Sequence, residues 1–211
     1  MLFPVYLAAI LVSAVLAIYF KHTNQLKNFA VFKPLTTVLI IVLSLLINWQ
    51  SDNSYGWIIT LGLVFSLLGD VLLLKKSQFI YGLGAFLIAH IIFIYAFSST
   101  LGFQPNLFVL VPLLIIGLIY YLFLYPSLKS YVIPVALYII AIIVMDWQAI
   151  ALVAIQNTNE FNVIGLGSIL FSFSDAVLGY NKFKKEFKLA EILILSTYWL
   201  AIFLFCVSAI K

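Results

Sequence analysis

The chain has 211 residues, 65% of them apolar and 9% charged, with a net charge of +4 and a mean hydropathy of +1.21. A soluble domain runs at roughly 45–50% apolar and about 25% charged, so these charges cannot cover a water-facing surface. That excludes a soluble globular protein, and with it a disordered chain or a nucleic-acid binder, both of which need polar, charge-rich sequence.

A membrane-crossing helix needs about 20 mostly apolar residues. Such runs lie, in chain order, at 3–20, 34–49, 55–74, 79–98, 107–125, 131–154, 161–180 and 189–210. Eight runs predict an all-α, multi-pass bundle forming a single transmembrane domain over 1–211, with no room for a domain outside the membrane. The alternating ten-residue pattern of an outer-membrane barrel is absent. The first run lacks a positive flank before it and is stopped by Lys21, so it reads as a span and not a cleaved signal. Cys206 is the sole cysteine, which rules out an intrachain disulfide.

Orientation follows from the lysines, which supply all the basic residues. Lys21, Lys27 and Lys33 fall in the first loop, Lys75 and Lys76 in the third, Lys129 in the fifth, and Lys182, Lys184, Lys185 and Lys188 in the seventh. The loops between carry Asp52 and Glu160 and no lysine. The positive-inside rule places the lysine-bearing loops in the cytoplasm and both termini, Lys211 included, outside. A bacterial inner membrane and the endoplasmic reticulum suit this pattern equally.

Two dodecapeptides echo one another at half-chain spacing: Gly62-Leu-Val-Phe-Ser-Leu-Leu-Gly-Asp70-Val-Leu-Leu in the third run and Gly167-Ser-Ile-Leu-Phe-Ser-Phe-Ser-Asp175-Ala-Val-Leu in the seventh. Both runs cross in the same direction, so a repeat would be parallel, two sets of four helices with Asp70 and Asp175 facing each other at the centre. Carboxylates inside spans are costly and point to function by default. Asp70 precedes Lys75 by about 7.5 Å of helix and Asp175 precedes Lys182 by about 10 Å, just beneath the cytoplasmic headgroups. Gly62, Ser66 and Asp70, spaced by four, share one small, polar face suited to a bundle interior. His90 lies about 16 Å into the fourth run. Asp146 reads as structural, Glu191 as a surface residue, and the Lys182–Lys188 cluster as a topology signal that also attracts anionic lipid. The only other imidazole, His22, lies in a loop, so a three-His zinc site cannot be assembled, and no cofactor motif is present. The residues call for no metal and no cofactor.

The run Gly62 to Val71 resembles the signature of the YhhN family of membrane proteins, which includes the lysoplasmalogenases. So does Phe79-Ile-Tyr-Gly82-Leu-Gly-Ala-Phe86-Leu-Ile-Ala-His90. Lys33-Pro34, Pro134 with Tyr138 and Met145, Ser174-Asp175 with Lys182-Phe183, and Thr197-Tyr198 extend the resemblance over about residues 30 to 205. The chain departs from the pattern at Phe93, where a Tyr is frequent, and in Trp199 to Ile202, where a Gln is frequent.

The resemblance implies hydrolysis of the vinyl-ether bond of a lysoplasmalogen-type lysophospholipid to a fatty aldehyde and a glycerophospho-alcohol. Vinyl ethers hydrolyse by proton transfer to carbon followed by water capture of an oxocarbenium ion. That chemistry suits one carboxylic acid kept protonated by low-dielectric surroundings and one carboxylate, as in glycoside hydrolysis. The expected site is therefore Asp70 and Asp175 as the acid–base pair, His90 as orienting or proton-sharing partner, Ser66, Ser174 and Tyr198 as polar contacts, and Lys33 on the phosphate from the cytoplasmic rim. The rival reading is a proton- or ion-coupled transporter using the same aspartates, whose marks are broken helices and a midplane site.

Overall fold

A computed structural model describes residues 3–51 and 54–210, and their side chains except those of residues 50 and 51. Asp52 and Lys211 lie outside the described residues. The described chain folds into eight long helices: α1 (Phe3–His22), α2 (Leu26–Ser51), α3 (Ser54–Leu72), α4 (Phe79–Leu101), α5 (Leu107–Leu124), α6 (Val132–Ile155), α7 (Asn159–Phe183) and α8 (Ala190–Val207). All eight are long and apolar enough to cross a membrane. The protein is an integral, multi-pass membrane protein.

Local chemistry sets the helix ends. Asn106 caps α5 by accepting from the Phe108 and Val109 amides, and Thr158 caps α7 by accepting from the Phe161 amide. Gly102, at φ +77°, ends α4 in a conformation that favours glycine. The largest departure from the expected spans is at α2, which begins at Leu26 and not 34. Pro34 sits inside it, giving up one helical hydrogen bond. Lys33 is thereby lifted from the first loop into the helix, where it is buried.

In each half the first helix packs on the second, the second on the third and the third on the fourth. Between the halves, α8 lies against α1, α2 and α3, while α4 lies against α6. Under a four-helix duplication α2 on α8 corresponds to α4 on α6, whereas α1 on α8 and α3 on α8 have no counterparts of that extent in α5 on α4 and α7 on α4. The glycine opening each echoing segment plays the same part in both halves. A Cβ at Gly62 would stand 2.4 Å from the Phe93 ring of α4, and one at Gly167 would stand 2.7 Å from the Phe205 ring of α8. Gly69 admits Phe86 in the same way, at 2.5 Å. Glycine at these positions lets an aromatic ring press on the neighbouring backbone, the close approach on which helix association in lipid depends.

The result is a central aromatic layer of Phe86, Phe93, Phe171, Tyr198 and Phe205, with edge-to-face, tilted and stacked ring pairs at centroid separations of 4.8–6.3 Å. By contrast, α5 buries only Gly117 and Leu124 and turns Ile115, Ile116 and Ile119 outward. It packs on α6 and only marginally on α7. This peripheral helix is held at its start by Trp147, whose indole N–H donates to the Asn106 carbonyl at 2.8 Å. Lys21 reaches Glu191 at 3.1 Å, which ties the end of α1 to the start of α8 and gives that surface glutamate a partner.

Candidate functional site

The face of α3 that carries Gly62, Ser66 and Asp70 is buried throughout. Asp70 receives three partners there. Lys33 Nζ of α2 lies 3.4 Å from Oδ1. On Oδ2, the Thr37 hydroxyl donates at 2.6 Å and the Tyr198 hydroxyl of α8 at 2.9 Å. The Trp199 indole N–H in turn donates to Thr37 at 3.3 Å. A carboxylate removed from water needs this degree of satisfaction, and here it joins α2, α3 and α8. Ser66 stands beside Tyr198 without a well-formed hydrogen bond of its own.

Asp175 of α7 anchors a second cluster. Tyr138 of α6 donates to its Oδ2 at 2.9 Å, and His90 Nε2 of α4 approaches the same oxygen at 3.3 Å without hydrogen-bond alignment. His90 Nδ1 lies 2.7 Å from the Phe86 carbonyl. A carbonyl oxygen only accepts, so Nδ1 carries its hydrogen and Nε2 is the nitrogen free to exchange a proton with Asp175. The imidazole is fully buried between Tyr138 and Phe171, with ring centroids 5.1 and 4.7 Å away.

The two clusters occupy different surroundings. An apolar cavity of about 210 Å³ lies between α4, α5, α6 and α7. Asp175 and Tyr138 line it near Phe79 and Phe183, toward the lysine-rich end; Asp146 and Ser172 line it further in. Asp70, Lys33 and Tyr198 are not among its lining residues. The peripheral helix α5 contributes Leu113, Ile116, Gly117, Tyr120 and Leu124 to the lining. Tyr120 bridges α5 to α7 there, donating to the Ala176 carbonyl at 2.6 Å. Gly179 leaves it room, since a Cβ would stand 2.7 Å from the Tyr120 oxygen.

Of the residues singled out in the sequence, the structure brings together Asp70 with Lys33 and Tyr198, and Asp175 with His90. It does not bring the two aspartates into one pocket. Ser174 points away from the cavity and donates to the Ile194 carbonyl of α8 at 2.9 Å. Lys33, expected at the rim, is buried against Asp70 because α2 starts two turns early. Thr37, Asp146 and Ser172 gave no signal by spacing, and Tyr138 stood out only through the family pattern; their partners lie on other helices.

The YhhN family model matches residues 28–209. A Homo sapiens protein named lysoplasmalogenase TMEM86B is 30% identical over 188 residues, 89% of this chain and 78% of its own length. The Rattus norvegicus protein of that name is 33% identical over 160 residues, 75% of this chain and 64% of its own, so the match spans just under two thirds of that relative. A protein of Escherichia coli O6:H1 named uncharacterized membrane protein YhhN is 28% identical over 201 residues, 93% of this chain and 94% of its own. No solved structure matches the chain. With the match running from residue 28, near the start of α2, to residue 209, the chain belongs to the YhhN family.

Proposed function

We propose that the protein is a lysoplasmalogenase that cleaves the vinyl-ether bond of a lysophospholipid within the cavity between α4, α5, α6 and α7. One observation carries this reading. Asp175 faces an apolar cavity lined in part by α5, with one carboxyl oxygen fixed by Tyr138 and approached by His90. The names of the human and rat relatives agree with it.

Because Tyr138 donates to Oδ2, the proton of the carboxylic acid belongs on Oδ1, for which no protein partner is found among the described residues. From there it passes to the vinyl carbon β to the ether oxygen, the one that carries the alkyl chain. The π pair forms the new C–H bond and leaves an oxocarbenium ion at the ether-bearing carbon. Water adds to that carbon, and the resulting hemiacetal collapses to a fatty aldehyde and a glycerophospho-alcohol. His90, whose Nε2 faces Oδ2, orients the carboxyl group, and the apolar lining takes the alkenyl chain while limiting water to what the reaction consumes.

The lysine-rich end faces the cytoplasm, by the positive-inside rule. Lys182, folded over the Phe79 ring at 4.6 Å, stands at that end of the cavity to meet a phosphate. Lys33 is committed to Asp70, and Asp70 acts as a positioning residue: through Tyr198 it holds the aromatic wall behind His90.

The test uses protein reconstituted in vesicles with 1-alkenyl lysophospholipid. Asp175→Asn is expected to abolish aldehyde release with an unchanged melting temperature. Release at the wild-type rate from that variant would remove Asp175 from the mechanism.

A further inference from the structure

Asp146 is a second carboxylate on the same cavity, and the chemistry above leaves it without a task. It is 6% exposed. Ser172 donates to its Oδ2 at 2.7 Å, whereas Oδ1 is buried without a well-formed hydrogen bond. Ser168, a turn before Ser172 on α7, also stands beside Asp146; an interhelical hydrogen bond to a serine needs only a hydroxyl-sized acceptor, and a full carboxylate is a costly way to make one. Asp146 also lies within electrostatic reach of both His90 and Asp175. Ser172 and Asp175 are three residues apart on α7, about 4.5 Å of rise. The two carboxylates therefore line one cavity from adjacent helices, roughly a turn apart.

Vinyl-ether hydrolysis has a step for such a group. The water that attacks the oxocarbenium carbon must lose a proton, and Asp175 has just become a carboxylate on the carbon-protonating side. We propose that Asp146, not Asp70, is the second catalytic carboxylate, holding the attacking water in the cavity it shares with Asp175. This rests on the reading of the cavity as the lysoplasmalogenase site. Water forms its C–O bond as its proton passes to Asp146, giving a neutral hemiacetal. The hemiacetal hydroxyl then returns a proton to Asp175, the bond from carbon to the glycerol oxygen breaks, and Asp146 protonates that oxygen. Aldehyde and alcohol leave, and both carboxyl groups are back in their starting forms, with one water consumed.

Aldehyde release from 1-alkenyl lysophospholipid in vesicles is measured for the wild type, Asp146→Asn, Asp146→Ala and Asp175→Asn. Asp146→Asn keeps the shape and the Ser172 contact. It is expected to lower kcat on the order of 10²-fold, the lower range for loss of a general base, with KM and melting temperature unchanged. Added formate is expected to restore release in Asp146→Ala, where it fills the vacated carboxylate position, and not in Asp175→Asn. Wild-type kcat in Asp146→Asn, or a loss in Asp146→Ala that formate leaves untouched, overturns the assignment while the reading of the cavity stands. Absence of release from the wild type overturns both.

Discussion

Lys33→Met tests the polar centre that holds α2, α3 and α8 together. The ammonium lies 3.4 Å from Asp70 Oδ1, with the two side chains 10% and 2% exposed. At that distance the attraction is about 5 kcal/mol for an effective dielectric near 20. Removing one partner leaves a buried carboxylate that still accepts from Thr37 and Tyr198, so the loss falls at about 3–5 kcal/mol. Asp70→Asn strands the lysine instead and belongs in the same range. The double variant Lys33→Met/Asp70→Asn strands neither charge and is expected to cost about 2 kcal/mol or more less than the sum of the single changes. Denaturant unfolding in detergent micelles, followed by tryptophan fluorescence, reads all four proteins; Trp199 reports locally because it donates to Thr37. Single variants within 0.5 kcal/mol of the wild type, or strict additivity in the double, would refute the argument.

Other expectations are as direct. Gly62→Ala drives a methyl toward the Phe93 ring, 2.4 Å from its nearest atom, and should destabilise by about 1–3 kcal/mol in the same unfolding assay. Tyr138→Phe removes the hydroxyl that fixes Asp175 Oδ2; a hydrogen bond to a charged or proton-donating carboxyl is worth about 1.5–3 kcal/mol, so kcat should fall roughly 10- to 100-fold. Ser174→Ala breaks only the bond to the Ile194 carbonyl and should cost about 1 kcal/mol while leaving kcat as it is. Tyr120→Phe unties α5 from α7, and a loss of about 1 kcal/mol should lower Tm by roughly 2–4 °C.

The architecture was largely legible because bilayer thickness imposes long apolar runs, and a chain with so few charges shows them plainly. The start of α2 was not. Lys33-Pro34 reads locally as a loop, and only its pairing with Asp70, on the next helix, makes burial of that lysine affordable. Within the site, the scarcity of intramembrane charge drew attention to Asp70, Asp175 and His90, and the structure does put His90 against Asp175. Which carboxylates share a cavity is another matter. It depends on how α5, α6 and α7 pack, a property that no spacing within one helix carries. Asp146 looked structural in isolation, whereas its place beside Ser172 on the cavity wall is a consequence of tertiary packing. The echo of Gly62 to Asp70 in Gly167 to Asp175 likewise showed two similar helices but not that their aspartates meet different partners.

The most direct test of the central claim is product analysis with the wild-type protein in vesicles, offered matched 1-alkenyl, 1-alkyl and 1-acyl lysophospholipids of one headgroup and chain length. Proton transfer to a vinyl carbon requires the double bond. The account predicts fatty aldehyde and glycerophospho-alcohol in equal amounts from the alkenyl lipid, with neither product from the alkyl lipid and no fatty acid from the acyl lipid. An alkenyl lipid left intact, or an acyl lipid cleaved at the same rate, would contradict it.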